Sequence, residues 1–136
     1  MRTLLAVSFL SLAFTDALAC VDPPPLAEED AKESKAILFG YVTGTRLPAY
    51  EQHLLSGKPA NLRPTFDSRL ARVTVTRTIK GRPTETIEAF VPCGGPAPID
   101  GEPVVVVRRN DRDKLVRVKY WPNYLNQLSE ALRNER

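Results

Sequence analysis

Arg69-Leu70-Ala71-Arg72-Val73-Thr74-Val75-Thr76-Arg77-Thr78-Ile79-Lys80 is the stretch on which the fold of this chain turns. Ala71, Val73, Val75 and Ile79 fall on one face of an extended chain, and Arg72, Thr74, Thr76 and Thr78 on the other. Strict alternation of this kind reads as a strand with one face in a core and one toward water. Gly81-Arg82-Pro83 turns the chain, and Thr86 to Val91 repeats the pattern with Ile87, Ala89 and Val91 facing one way, so the two runs make an antiparallel hairpin.

Three more strand signals flank the hairpin. Upstream, Ala36 to Thr45 is apolar, aromatic and β-branched, with Gly40 inside it as the mark of a bulge or a close backbone approach. Downstream, Val104-Val105-Val106-Val107 is a β-branched run too apolar to be exposed on both faces, and after a turn at Asn110-Asp111-Arg112-Asp113 the run Leu115 to Tyr120 gives a fifth strand. Two helices bracket the set. Leu26 to Glu33 is rich in helix formers, with Glu28, Glu29 and Asp30 near its start, where the helix dipole favours acids. After Pro122, Leu125, Leu128 and Leu132 recur at helical spacing beside Tyr124 and Ala131, so a closing helix docks on the sheet. Residues 46–67 carry Pro48, Gly57, Pro59 and Pro64 with no persistent period, which predicts a long loop. Five short antiparallel strands with terminal helices predict an all-β, five-stranded barrel.

The first residues predict export. Met1-Arg2 is a short positive start, Leu4 to Phe14 is apolar, and Ala17-Leu18-Ala19 is a small-x-small cleavage pattern, which together read as a signal peptide over 1–19. The run is too short to span a bilayer and no later segment reaches spanning length. Residues 20–136 are then one domain, periplasmic or secreted. The formal charge of +3 favours anionic surfaces mildly and does not by itself indicate nucleic acid.

Cys20 and Cys93 are the two cysteines. An oxidising compartment permits one disulfide between them, and closing a loop of roughly 74 residues is worth at most about 4.5 kcal/mol on a chain-entropy basis. A cysteine directly after a signal peptide is also how bacterial lipoproteins begin, so lipidation of Cys20, giving an outer-membrane lipoprotein, is the competing reading. The box Ala17-Leu18-Ala19 lacks the Leu, Val or Ile usual three residues before a lipidated cysteine.

Chemistry-bearing patterns are sparse. His53 is the one histidine and sits among Tyr50, Glu51 and Gln52 in the expected loop, where it reads as solvated. Glu28-Glu29-Asp30, Asp111 and Asp113 have ordinary helix-start and turn roles, and Gly94-Gly95 is too brief for a phosphate loop. Enzymatic chemistry without histidine would fall on carboxylates or on Tyr41, Tyr50, Tyr120 and Tyr124. The basic residues Arg69, Arg72, Arg77, Lys80, Arg82, Arg108, Arg109, Arg112, Lys114, Arg117 and Lys119 read as a solvated outer sheet face or an anion-binding patch. Aromatic interleaving is too thin for a nucleic-acid stacking platform. Neither an enzyme nor a cofactor or intrinsic metal site is expected.

The order of features, namely Cys20, Pro23-Pro24-Pro25, a short helix, Ile37-Leu38-Phe39-Gly40-Tyr41-Val42, Arg72 to Lys80-Gly81 and Cys93-Gly94-Gly95, resembles the tissue inhibitor of metalloproteinases, or netrin-like, domain in its bacterial form. The resemblance covers about Cys20 to Val107. It implies an oligonucleotide/oligosaccharide-binding (OB) type barrel and cysteines that staple the N-terminus to it. In the animal inhibitors the first cysteine's α-amine and carbonyl chelate a protease's zinc, which would make Cys20 a ligand of a partner's metal; here Cys20-Val21-Asp22 lacks their second cysteine. The resulting expectation is a non-enzymatic binding module for a protein or envelope component. Its alternatives are a metalloprotease inhibitor acting through Cys20 and a lipid-anchored envelope protein.

Overall fold

A computed structural model describes residues 23–57, 69–92, 96–110 and 112–135, apart from the side chains of residues 49, 50, 52 and 53. The elements in chain order are α1 (Ala27–Glu33), β1 (Ala36–Arg46), α2 (Pro48–Ser56), β2 (Leu70–Lys80), β3 (Thr86–Phe90), β4 (Pro103–Arg109), β5 (Arg112–Arg117) and α3 (Tyr124–Asn134). The strands close into a barrel in the order β1-β2-β3-β5-β4. All neighbours are antiparallel except β3 and β5, which are parallel. This is an all-β, five-stranded OB-type barrel with one helix before and one after its strands.

Side-chain parity divides the apolar residues into two cores. Leu38, Val42, Ala71, Val73, Ile87, Ala89, Val104, Val106 and Leu115 fill the barrel. Ile37, Val105, Val107 and Val116 point outward and are covered by Ala27 and Ala31 of α1 and Tyr124 and Leu128 of α3. The uniform valine run of β4 is thereby explained: alternate residues serve the two cores, and all four are essentially inaccessible. Burying each contributes roughly 1.5–3 kcal/mol. A charge at Val105, between strand and helices, would have no partner and would break the second core.

Strand β2 follows the predicted alternation only as far as Val75. In its pairing with β1, Gly40 faces Val75 while Phe39 faces Arg77, and Leu38 faces Thr78 while Ile37 faces Lys80. Thr76 and Ile79 are therefore bulged, and Ile79, expected beside Val75, packs instead against the second core. A bulge adds one residue and re-aims the side chains beyond it. Gly40 lies at the first of these shifts, where an added Cβ would sit 2.2 Å from the carbonyl oxygen of Thr74. Gly81 turns at φ +88° with its Cα pressed toward Lys35 and Ala36, so the Lys80-Gly81 pair needs glycine for both conformation and space.

Two boundaries differ from the sequence expectation. The segment 46–67 is not irregular throughout: β1 runs to Arg46 and α2 occupies Pro48–Ser56, with proline in its first turn and Gly57 closing it at φ 66°. His53 therefore stands in a helix rather than a loop. The fifth strand spans Arg112–Arg117 rather than Leu115–Tyr120. Arg109 faces Arg112, leaving a two-residue hairpin loop in which Asn110 takes φ 50°, the tight-turn geometry that asparagine tolerates. Residues 118–120 are turn.

Candidate functional site

Strand directions sort the connections between the two ends of the barrel. One end carries the β2–β3 turn at Gly81 and the two-residue β4–β5 hairpin, both short. The other carries the β1–β2 connection with α2, the β3–β4 connection and the segment 118–123 that leads into α3. Long connections gathered over one mouth of a rigid barrel are where binding residues are commonly placed.

That mouth is plugged by an ion pair. Glu102 continues the inward row of Val104 and Val106, Arg117 continues that of Leu115, and Val104 faces Arg117 in register. Arg117 Nε lies 2.5 Å from Glu102 Oε1 and Nη2 lies 2.8 Å from Oε2, with the two side chains 6% and 3% exposed. Arg117 Nη1 donates to the carbonyl of Pro96 at 2.5 Å, and the Ile99 N–H donates to Glu102 Oε2 at 3.3 Å. Lys119 Nζ adds a contact to Oε2 at 3.1 Å. The Arg117 hydrogen bonds, against the cost of burial, hold the Glu102 carboxyl down at about 2. Glu102 also raises the Arg117 guanidinium above its ordinary value. The Tyr120 ring lies over this plug, its centroid 4.8 Å from the Arg117 guanidinium carbon and 5.0 Å from Lys119 Nζ. The plug thus ties the described part of the β3–β4 connection to β5.

A second charged group holds α2. Arg46 at the end of β1 reaches Glu51 of α2 at 2.8 Å and Glu88 of β3 at 2.9 Å. These contacts raise Arg46 and lower Glu51 from their ordinary values, the hydrogen bond between them being the largest cause. Held this way, α2 presents Leu54 and Leu55 to solvent at 61% and 89% exposure. Ile99, Tyr120 and Trp121 are exposed at the same mouth. Pro24 and Pro25 share a groove of about 370 Å³ with Trp121, Pro122, Asn123 and Gln127. The described start of the chain therefore lies at this mouth too.

The residues singled out in the sequence scatter. Cys20, Cys93, Gly94, Gly95 and Asp111 lie outside the described residues, as do the side chains of Tyr50 and His53. Glu29 and Glu33 pair with Arg109 on β4. Asp30 accepts from the hydroxyl of Tyr124 at 2.7 Å, a phenol raised by burial first and by this acid second. Asp113 pairs with Arg108 at 2.7 Å. Tyr41 is half-exposed, edge-on to Phe39. Lys80 donates to the carbonyl of Ala31 at 2.5 Å, and Arg77 lies over the Phe39 ring. Arg117 is not on the solvated outer face expected for the basic residues; its parity with Leu115 turns it into the barrel. That parity is the sequence signal for the plug, which no motif announces. Among the described residues, no group of three or more His, Cys, Asp or Glu is placed to hold a metal ion, and no helix is long and apolar enough to cross a membrane.

Comparison of the chain with protein-family models, curated proteins and solved structures found no match. The class of protein is therefore defined by its architecture: an OB-type barrel whose elaborated mouth is sealed by a buried ion pair and rimmed by exposed apolar side chains.

Proposed function

We propose that this chain is an exported, non-enzymatic binding module of netrin-like type, and that it recognises a protein or cell-envelope component with the elaborated mouth of its barrel. The observation that carries this reading is the display of Leu54, Leu55, Ile99, Tyr120 and Trp121 around one mouth, on connections anchored by Arg46 and by the Glu102–Arg117 plug. Exposed apolar groups on an anchored support bind with little ordering cost. The apolar start and the Ala17-Leu18-Ala19 pattern support export. The bulged Gly40 strand and the closure on Lys80-Gly81 support the netrin-like comparison.

The test is saturable binding of the purified mature protein to envelope fractions of the cells that make it, compared with a Leu54→Ser/Leu55→Ser/Trp121→Ala variant. The proposal expects at least about a tenfold loss of affinity in the variant. Unchanged binding, or turnover of a substrate abolished by a single tyrosine or carboxylate substitution, would overturn it. Zinc-protease inhibition that disappears on Cys20→Ala or on N-terminal acetylation would favour the inhibitor reading instead.

A further inference from the structure

Strand β3 has one edge that the barrel leaves almost unused. The N–H of Val91 donates to Arg69 O at 3.0 Å and the N–H of Val75 to Glu85 O at 2.8 Å. With the pairing of β2 and β3 from Leu70–Phe90 to Thr74–Thr86, these bonds turn the odd-numbered residues of β3 toward β2. The N–H and C=O groups of Thr86, Glu88 and Phe90 consequently point the other way, toward β5. Across that seam the ladder consists of one pair, Phe90 opposite Lys114. Thr86 and Glu88 have no backbone partner there among the described residues.

The chemistry around the seam is one-sided. Arg112 and Lys114 alternate on β5 with the outward parity of Val116, and neither has a carboxylate partner among the described residues. Their neighbours Arg108 and Arg109 are both paired. The Phe90 ring is 46% exposed at the bridging pair itself. Glu88, the acid nearest the free edge, is engaged by Arg46 and Arg72 on the outer face.

We propose that the β3–β5 seam accepts an extended, acidic segment of a partner protein as a short added strand. Its backbone pairs with Thr86 and Glu88, and the carboxylates on its outward-facing alternate residues meet Arg112 and Lys114 beside the Phe90 ring. A free strand edge supplies affinity through main-chain hydrogen bonds, and the flanking side chains supply the choice of partner. Two cations without a carboxylate partner among the described residues select acidic over basic segments. The seam meets the Leu54–Trp121 mouth only through the Glu88 side chain held by Arg46, and the peptide titration and the envelope-binding test read different residues, so failure of either proposal leaves the other standing.

The experiment titrates the full mature protein, labelled for NMR, with a short synthetic peptide alternating Glu and Val. The controls are its Lys–Val counterpart, a Glu–Val peptide with alternate amides N-methylated, and dextran sulfate. The proposal expects the Glu–Val peptide to shift the Thr86 and Glu88 amides and protect them from hydrogen exchange. The Lys–Val and N-methylated peptides should leave them unchanged, and Arg112→Glu/Lys114→Glu should weaken Glu–Val binding about tenfold. Equal binding of the Lys–Val or N-methylated peptide would overturn the proposal. So would the same protection of Thr86 and Glu88 by dextran sulfate, which would make the seam a general anion patch. The peptide titrations use the unmodified protein and remain decisive if the charge-reversed variant folds poorly.

Discussion

Replacing Arg117 with Met removes the guanidinium from the plug while keeping most of the aliphatic stem. Glu102, 3% exposed, is then left with Lys119 Nζ at 3.1 Å and the Ile99 N–H at 3.3 Å. Orphaning one member of a buried pair costs about 3–5 kcal/mol. Because Lys119 remains, the lower end applies, about 3 kcal/mol, or a fall of about 2 M in the urea midpoint for a slope near 1.5 kcal/mol/M. The depressed Glu102 carboxyl leads to a figure of similar size. Glu102 titrates at about 2 in the folded protein against an ordinary 4.5, which corresponds to roughly 3 kcal/mol of linked stability. Because the folded-state value is depressed, that contribution is complete above about pH 5 and drains away as pH falls toward about 2. Urea unfolding of the native chain, Arg117→Met and Glu102→Gln between these limits measures both effects. A loss under about 1 kcal/mol in Arg117→Met, or an acid-side decline undiminished in Glu102→Gln, would refute the assignment of the plug.

Gly40→Ala places a Cβ 2.2 Å from the Thr74 carbonyl oxygen and is expected to cost about 3 kcal/mol or more in urea unfolding. Tyr124→Phe removes the hydrogen bond to Asp30 and should cost about 1–2 kcal/mol, read from the same midpoint. Arg109→Ala breaks partly exposed pairs to Glu29 and Glu33 and should lower the urea midpoint only slightly, less still in high salt. Intact mass of the exported protein, with and without reductant, is expected to show cleavage before Cys20 and a gain of two hydrogens on reduction. An acyl mass at the N-terminus would replace the disulfide with a lipid anchor.

The barrel is legible because alternation reports directly on a two-sided strand: Ala71, Val73, Ile87 and Ala89 all point inward as their spacing requires. The valine run of β4 marks its own location but not its two partners, since periodicity is silent when both faces are buried. Helix α2 escapes a reading of Pro48 and Gly57 as breakers; a proline in a first turn and a glycine just past an end are equally the marks of a helix's two ends. The bulge at Thr76 is announced across the ladder by Gly40 of β1, whereas the one at Ile79, opposite the Ile37–Leu38 step, leaves no local signature. The candidate mouth is legible only in part. Its connections can be located, but Glu102 and Arg117 are fifteen residues apart in the chain and meet only because the β4–β5 register brings their inward rows together.

Hydrogen exchange of the mature protein bound to its envelope fraction, compared with the free protein, tests the recognition surface most directly. Protection is expected to concentrate in α2, residues 96–102 and residues 118–123. Protection confined to the opposite mouth, at residues 81–85 and the β4–β5 hairpin, would contradict it.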